Sequence, residues 1–192
     1  AAFSLKNGVA LYGGFAGTES LREERDASAH LTILSGDLGA DDLYDPWPRG
    51  WSVATPNAKH VVTAQGVDGS AVLDGFTILA GYVSSETGGG GIMIQGASPL
   101  IEGCRFVHNL AGFAHGGAIL VANGSPTIRS CEFTQNYAHL GDGAGIEISG
   151  ASAPLIEGCR FSGNIAVGSD PTGDGAAISN HSSLPVVIRS CV

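Results

Sequence analysis

Hydrophobic residues in the second half of the chain come in short alternating bursts, and the bursts recur. The stretch Ser98 to Phe106 returns as Ser125 to Phe133, again as Ala153 to Phe161, and in part as Leu184 to Cys191. Cys104, Cys131, Cys159 and Cys191 mark one point in successive repeats, at steps of 27, 28 and 32 residues. Asn109, Asn136 and Asn164 each stand three residues after the repeating Phe. Gly116 to Ile119, Gly143 to Ile146 and Gly175 to Ile178 open a second strand in each unit. An earlier unit, Ala71 to Ile78, fits with Phe76 in the cysteine slot.

Glycine interrupts every candidate helix, so a helical repeat is excluded. Apolar positions such as Ile101, Cys104 and Phe106, then Ile119 and Val121, predict short strands, two or three to a unit. Units near 28 residues that stack at the strand spacing of about 4.8 Å put each side chain above its counterpart. The expected fold is all-β, a parallel solenoid of about six coils. It forms one domain over 1–192, with regular repeats from 71 and less regular coils over 1–70. There, 9–12, 31–34 and 60–63 read as strands, Ser20 to His30 as a charged turn, and 36–57 as a long loop.

Thirty glycines, 43% hydrophobic and only 14% charged residues suit many strands and tight turns, and exclude disorder. A formal charge of −9 excludes nucleic acid and anionic membranes, which need clustered Lys and Arg. No apolar run approaches the ~20 residues of a membrane-spanning helix. The chain opens on Ala1-Ala2-Phe3 and stops inside a strand-like run, 186–192, which predicts a segment of a larger protein. The expected partners are the remainder of that parent, or copies of the chain stacked end to end, with a glycan or a host surface admitted as ligand.

The Phe-x-x-Asn elements (Phe106 to Asn109, Phe133 to Asn136, Phe161 to Asn164) and Gly116 to Ile119 resemble the repeats of polymorphic outer-membrane proteins. Similar repeats occur in large extracellular bacterial proteins of the right-handed parallel β-helix, pectate-lyase-like superfamily. The stretch Leu11 to Glu19, with Arg25 following, looks like the opening of such proteins. The resemblance implies a secreted or cell-surface protein. Its implication for activity is divided, because relatives of this kind include adhesins, secretion-system passengers and polysaccharide-cleaving enzymes, and fold alone does not choose.

Candidate residues fall into columns. Asp74, Glu102, Arg129, Glu157 and Arg189 form one; Thr77, Arg105, Glu132 and Arg160 form another. From Glu102 onward the signs alternate, as expected of structural charge ladders worth about 0.2–1 kcal/mol per exposed pair. The cysteines form an inward column of free thiols, because parallel Cβ vectors disfavour disulfides and a line of sulfurs cannot wrap a tetrahedral zinc. Asn109, Asn136 and Asn164 predict an amide ladder in a turn.

His115, Asp142 and Asp174 share a column before the glycine-rich strand. They are the catalytic candidates, with acids near the separation of a retaining glycosidase, against a bland role as turn caps. Asp37, Asp41 and Asp42, with Asp45 beside them, admit calcium as the one candidate cofactor, against solvated loop acids. Tyr44, Trp47 and Trp51 are candidates for stacking on sugar rings or for packing on the flank.

The leading expectation is a non-catalytic extracellular module for structure, adhesion or display. The alternative is a polysaccharide lyase or glycoside hydrolase working in a groove along the rod. Ice or mineral binding lacks the Thr-x-Thr ladder it needs.

Overall fold

The computed structural model describes residues 2–42, 57–84, 87–168 and 175–192. The chain is an all-β parallel solenoid with four sheets running along its length. Sheet one stacks Phe3–Ser4, Val62–Gln65, Ile92–Gln95, Ile119–Ala122, Ile146–Gly150 and Ile178–Ser182. Sheet two stacks Ala10–Tyr12, Val72–Asp74, Leu100–Glu102, Thr127–Arg129, Leu155–Glu157 and Val187–Arg189. Sheet three holds Thr32–Ser35, Phe76–Leu79, Arg105–Val107, Glu132–Thr134 and Arg160–Ser162. Sheet four holds Tyr82–Val83, Leu110–Ala111, Tyr137–His139 and Ile165–Val167.

Four coils therefore carry all four strands, with a three-strand partial coil before them and a two-strand partial coil after. The expected solenoid of about six coils, two or three strands to a unit, is thus four complete coils of four strands and two partial ones. The extra strand follows each Asn and is only two or three residues long, too short to show an alternation. The charged stretch 20–30 contains a single 3-10 turn, Arg22–Glu24. No described helix is long and apolar enough to cross a membrane.

Register explains the core. Ile92, Ile119 and Ile146 pair in sequence, as do Ile94, Val121 and Ile148, and all six are fully buried. Removing each such side chain from water stabilises the fold by roughly 1.5–3 kcal/mol. Phe106, Phe133 and Phe161 stack with ring centroids 4.8 Å apart at both steps. That figure is the rise of the solenoid per coil.

The corners are sharp because one residue turns left-handed at each. Between sheets two and three these are Gly75, Gly103, Ser130, Gly158 and Ser190, with φ from +53° to +78°. Between sheets three and four they are Ala80, His108, Gln135 and Gly163. The next residue in the latter corner is Asn in three coils. Asn136 Oδ1 accepts from the Asn109 backbone N–H at 3.1 Å and from Asn109 Nδ2 at 3.0 Å. Asn136 Nδ2 donates to Phe106 O at 2.9 Å and to Asn164 Oδ1 at 2.9 Å. The amides thus run unbroken through the corner and satisfy backbone groups that the turn leaves without a sheet partner.

Candidate functional site

The outer face of sheet two carries the first charge column in continuous register: Asp74, Glu102, Arg129, Glu157, Arg189. Arg129 grips Glu102 through two bonds, Nε to Oε1 at 2.7 Å and Nη2 to Oε2 at 2.8 Å. Arg189 Nε lies 2.8 Å from Glu157 Oε1. On sheet three, Arg105 Nε lies 3.2 Å from Glu132 Oε2, with Arg160 in register on the other side.

The like-charge step from Asp74 to Glu102 has a remedy the sequence repeat does not reveal. Arg25, from the segment after the 3-10 turn, reaches Asp74 Oδ2 at 2.5 Å and Gly13 O at 3.0 Å. Its guanidinium, like that of Arg22, lies over the Tyr12 ring. Gly75 makes room for it, since a Cβ there would stand 2.5 Å from Arg25 Nη1. Between this arm and the ladders lies a cleft of about 1060 Å³, lined by Tyr12, Arg22, Arg25, Glu102, Arg129 and Glu132 among others.

A second polar group sits where sheet four hands over to sheet one. His115 Nδ1 accepts from the Asp142 backbone N–H at 3.0 Å and lies 3.6 Å from Asp142 Oδ2. Asp174, the third member of the proposed column, falls outside the described residues. Two residues that sequence reasoning missed complete the group. Glu147 stands in an otherwise uncharged outward column, after Met93 and Leu120 and before Ser179, yet its side chain is only 3% exposed. Its Oε1 is 3.0 Å from His181 Nδ1, while Oε2 is buried with no hydrogen-bond partner. Burial holds the Glu147 carboxyl above its ordinary value, and the His181 contact opposes that only in part. A charge in an apolar column, with a His two positions along the next strand, was the available signal for this pair.

Asp37, Asp41 and Asp42 bring one carboxylate oxygen each within 4.8 Å of the others. The Asp37 carboxylate accepts the backbone N–H groups of Asp41 and Asp42, at 3.3 and 3.4 Å. Asn57 donates its amide to Asp42 Oδ2 at 2.6 Å, so nitrogen rather than oxygen faces that acid. Calcium takes six to eight oxygens, and the acids here are partly committed to backbone and amide donors. The described residues thus fit calcium poorly. Asp45, Tyr44, Trp47 and Trp51 lie outside them.

All four cysteines are free. Cys104, Cys131 and Cys159 are buried and Cys191 half-buried, each one coil above the last. Their sulfurs face carbonyls of the preceding coil: Leu73, Ile101, Ile128 and Ile156, at 3.6 to 3.9 Å. Burial pushes the Cys131 thiol up, while donation from Cys131 draws Cys159 down to about 7.

Residues 60–192 match the family described as a right handed beta helix region. The chain belongs to the right-handed β-helix family. No curated protein and no solved structure matches it. Within a right-handed β-helix, the two polar groups occupy different settings. The cleft borders sheets two and three, while the Glu147 group lies on the outside of sheet one, so their charges do not converge on one reacting centre.

Proposed function

We propose that this β-helix is a non-catalytic module of a secreted or cell-surface protein, a rod that holds its loops at fixed spacing for adhesion or display. The observation that carries the reading is the pairing of Arg25, Arg105, Arg129 and Arg189 with carboxylates from other segments. Guanidiniums committed in this way stabilise register and are poor bases for lyase chemistry. Resemblance of the Phe-x-x-Asn repeats to outer-membrane proteins supports the location. The partners proposed are a glycan or host surface, the remainder of a larger parent protein, or a second copy set end to end.

The test is a glycan array paired with a reducing-end assay on acidic and neutral polysaccharides. Binding without cleavage is expected. Turnover by the purified chain would overturn the proposal.

One observation favours the enzymatic alternative. Glu147, a carboxyl raised by burial, stands beside His181, and the His115–Asp142 pair belongs to the same region. If cleavage is found, Asp142→Asn and Glu147→Gln are expected to abolish it. Unchanged turnover in both would move the chemistry elsewhere.

A further inference from the structure

The cleft between the arm and the charged columns has room for a ligand. Its volume of about 1060 Å³ reaches the upper end of the roughly 300–1,000 Å³ typical of small-molecule sites. The floor follows the corner between sheets two and three. There Gly75, Gly103 and Ser130 carry little or no side chain and leave depth, beside the half-buried Val72 and Leu100. Those two aliphatic side chains offer apolar surface on which a ring can rest.

The walls carry four arginines and six acids. Ion pairs join Arg22 to Glu23, Arg25 to Asp74, Arg105 to Glu132 and Arg129 to Glu102. Pairing fixes these groups without exhausting them. The grip on Glu102 uses two of the five guanidinium N–H groups of Arg129. The two side chains stay 44% and 31% exposed, so the pair still presents donors and acceptors side by side. Glu24 and Asp26 complete the six acids, and their described hydrogen bonds are to the backbone N–H groups of residues 20, 21, 28 and 29. The bonds from Ala29 and Ser28 hold the Asp26 carboxyl below its ordinary value, so it stays charged. Six carboxylates against four guanidiniums leave the cleft with a surplus of negative charge.

An anionic chain is repelled by that surplus. A simple polyamine satisfies the carboxylates, but its ammonium groups have no acceptor to offer the guanidinium N–H groups. A basic peptide has both kinds of group, yet an extended main chain docks on an open sheet edge. The strands here, Leu100–Glu102 and Arg105–Val107, are paired on both sides and present none. Sugar hydroxyls donate and accept alike, and a protonated amine on the sugar meets the surplus acids. We propose that the cleft binds an amino-sugar oligosaccharide, a chain of hexosamine units with free amino groups, in preference to neutral or uronic-acid chains. The assignment rests on the reading of the chain as a non-catalytic adhesion module and gives that module its ligand.

The experiment titrates the full 192-residue chain by calorimetry with a glucosamine hexamer, in mildly acidic buffer that keeps its amines charged. Saturable binding that weakens as salt is added is expected, with the N-acetylated hexamer weaker and a galacturonate hexamer silent. Asp26→Asn keeps an acceptor for the Ser28 and Ala29 N–H groups and removes one charge. It should weaken the glucosamine hexamer about two- to fivefold and leave the acetylated one unchanged. Leu100→Trp fills the floor and should abolish binding of both. Glu157→Gln removes the same charge one coil beyond the cleft and should alter neither, and circular dichroism identifies any variant that fails to fold. Equal or tighter binding of the acetylated hexamer, of the galacturonate or of a hexalysine peptide, or an Asp26→Asn chain that binds unchanged, would each overturn the assignment. A different glycan or a protein held equally well by Leu100→Trp would remove the cleft as the site and leave the adhesion reading standing. Cleavage of the bound hexamer would overturn that reading and leave the cleft as its site.

Discussion

Replacing Asn136 by alanine tests what holds the corner between sheets three and four. The side chain is 1% exposed and makes four hydrogen bonds. Its loss leaves the Asn109 backbone N–H buried with no acceptor, which costs about 1–3 kcal/mol. Asn109 Nδ2, Phe106 O and Asn164 Oδ1 each lose one bond and keep another group nearby, about 0.5–1.5 kcal/mol apiece. The sum is about 2.5–7.5 kcal/mol, a large share of the stability of an ordinary domain. With a urea slope of about 3 kcal/mol per molar, the unfolding midpoint should fall by roughly 0.8–2.5 M. Asn164→Ala, at a half-buried rung, should cost less, because water can replace part of what is lost. The assay is urea unfolding followed by circular dichroism, with the slope required to stay constant. A midpoint shift below about 0.3 M, or an equal loss at Asn164, would refute the view that the buried amides carry the corner.

Reversing one rung of the charge ladder should cost less. Arg129→Glu leaves four successive carboxylates in one column, at 74, 102, 129 and 157, and a loss of about 1–2 kcal/mol is expected in low salt, shrinking as salt is added; a salt-independent loss would implicate packing instead. Glu147→Gln should change the pH profile of melting. The folded carboxyl is raised above its ordinary value of 4.5, so its contribution is fully present below that pH and is lost as pH rises through the folded value. The variant should therefore gain on the native chain as pH rises above about 4.5, and parallel profiles would contradict this sign. Millimolar calcium should leave the melting temperature within about one degree, since the acids at 37, 41 and 42 are partly occupied by backbone and amide donors; a rise of several degrees would establish a site there.

The solenoid was legible from sequence because its cause is periodic. Identical residues at identical steps force the stacking, and the columns of cysteine, asparagine and charge follow from register alone. The two-residue strands of sheet four escaped notice, being too short to alternate and lying behind the Asn corner. Arg25 escaped for a different reason: it joins the ladder from outside the repeat, so no period contains it. Glu147 and His181 are offset by two residues on neighbouring strands, and a reading by columns does not pair diagonals. Each omission is an interaction that translation by one coil does not generate.

That distinction also says where variation can accumulate. The separation between aligned residues across the corner from sheet three to sheet four is constant: Val107 to Leu110, Thr134 to Tyr137 and Ser162 to Ile165 are each three apart. Across the passage from sheet four to sheet one it is not, with Ala138 to Ile146 eight residues and Ala166 to Ile178 twelve. The first corner is fixed by an asparagine that must reach the coils on both sides, so an inserted residue would break four bonds at once. Among the described residues the second passage has no such amide ladder, and a longer loop there adds only a logarithmic entropy cost. His115, Asp142 and the start of the Glu147 strand all lie at this permissive edge. Specificity is therefore expected to diverge along that edge, while the paired charges of sheets two and three hold the rod in register beneath it.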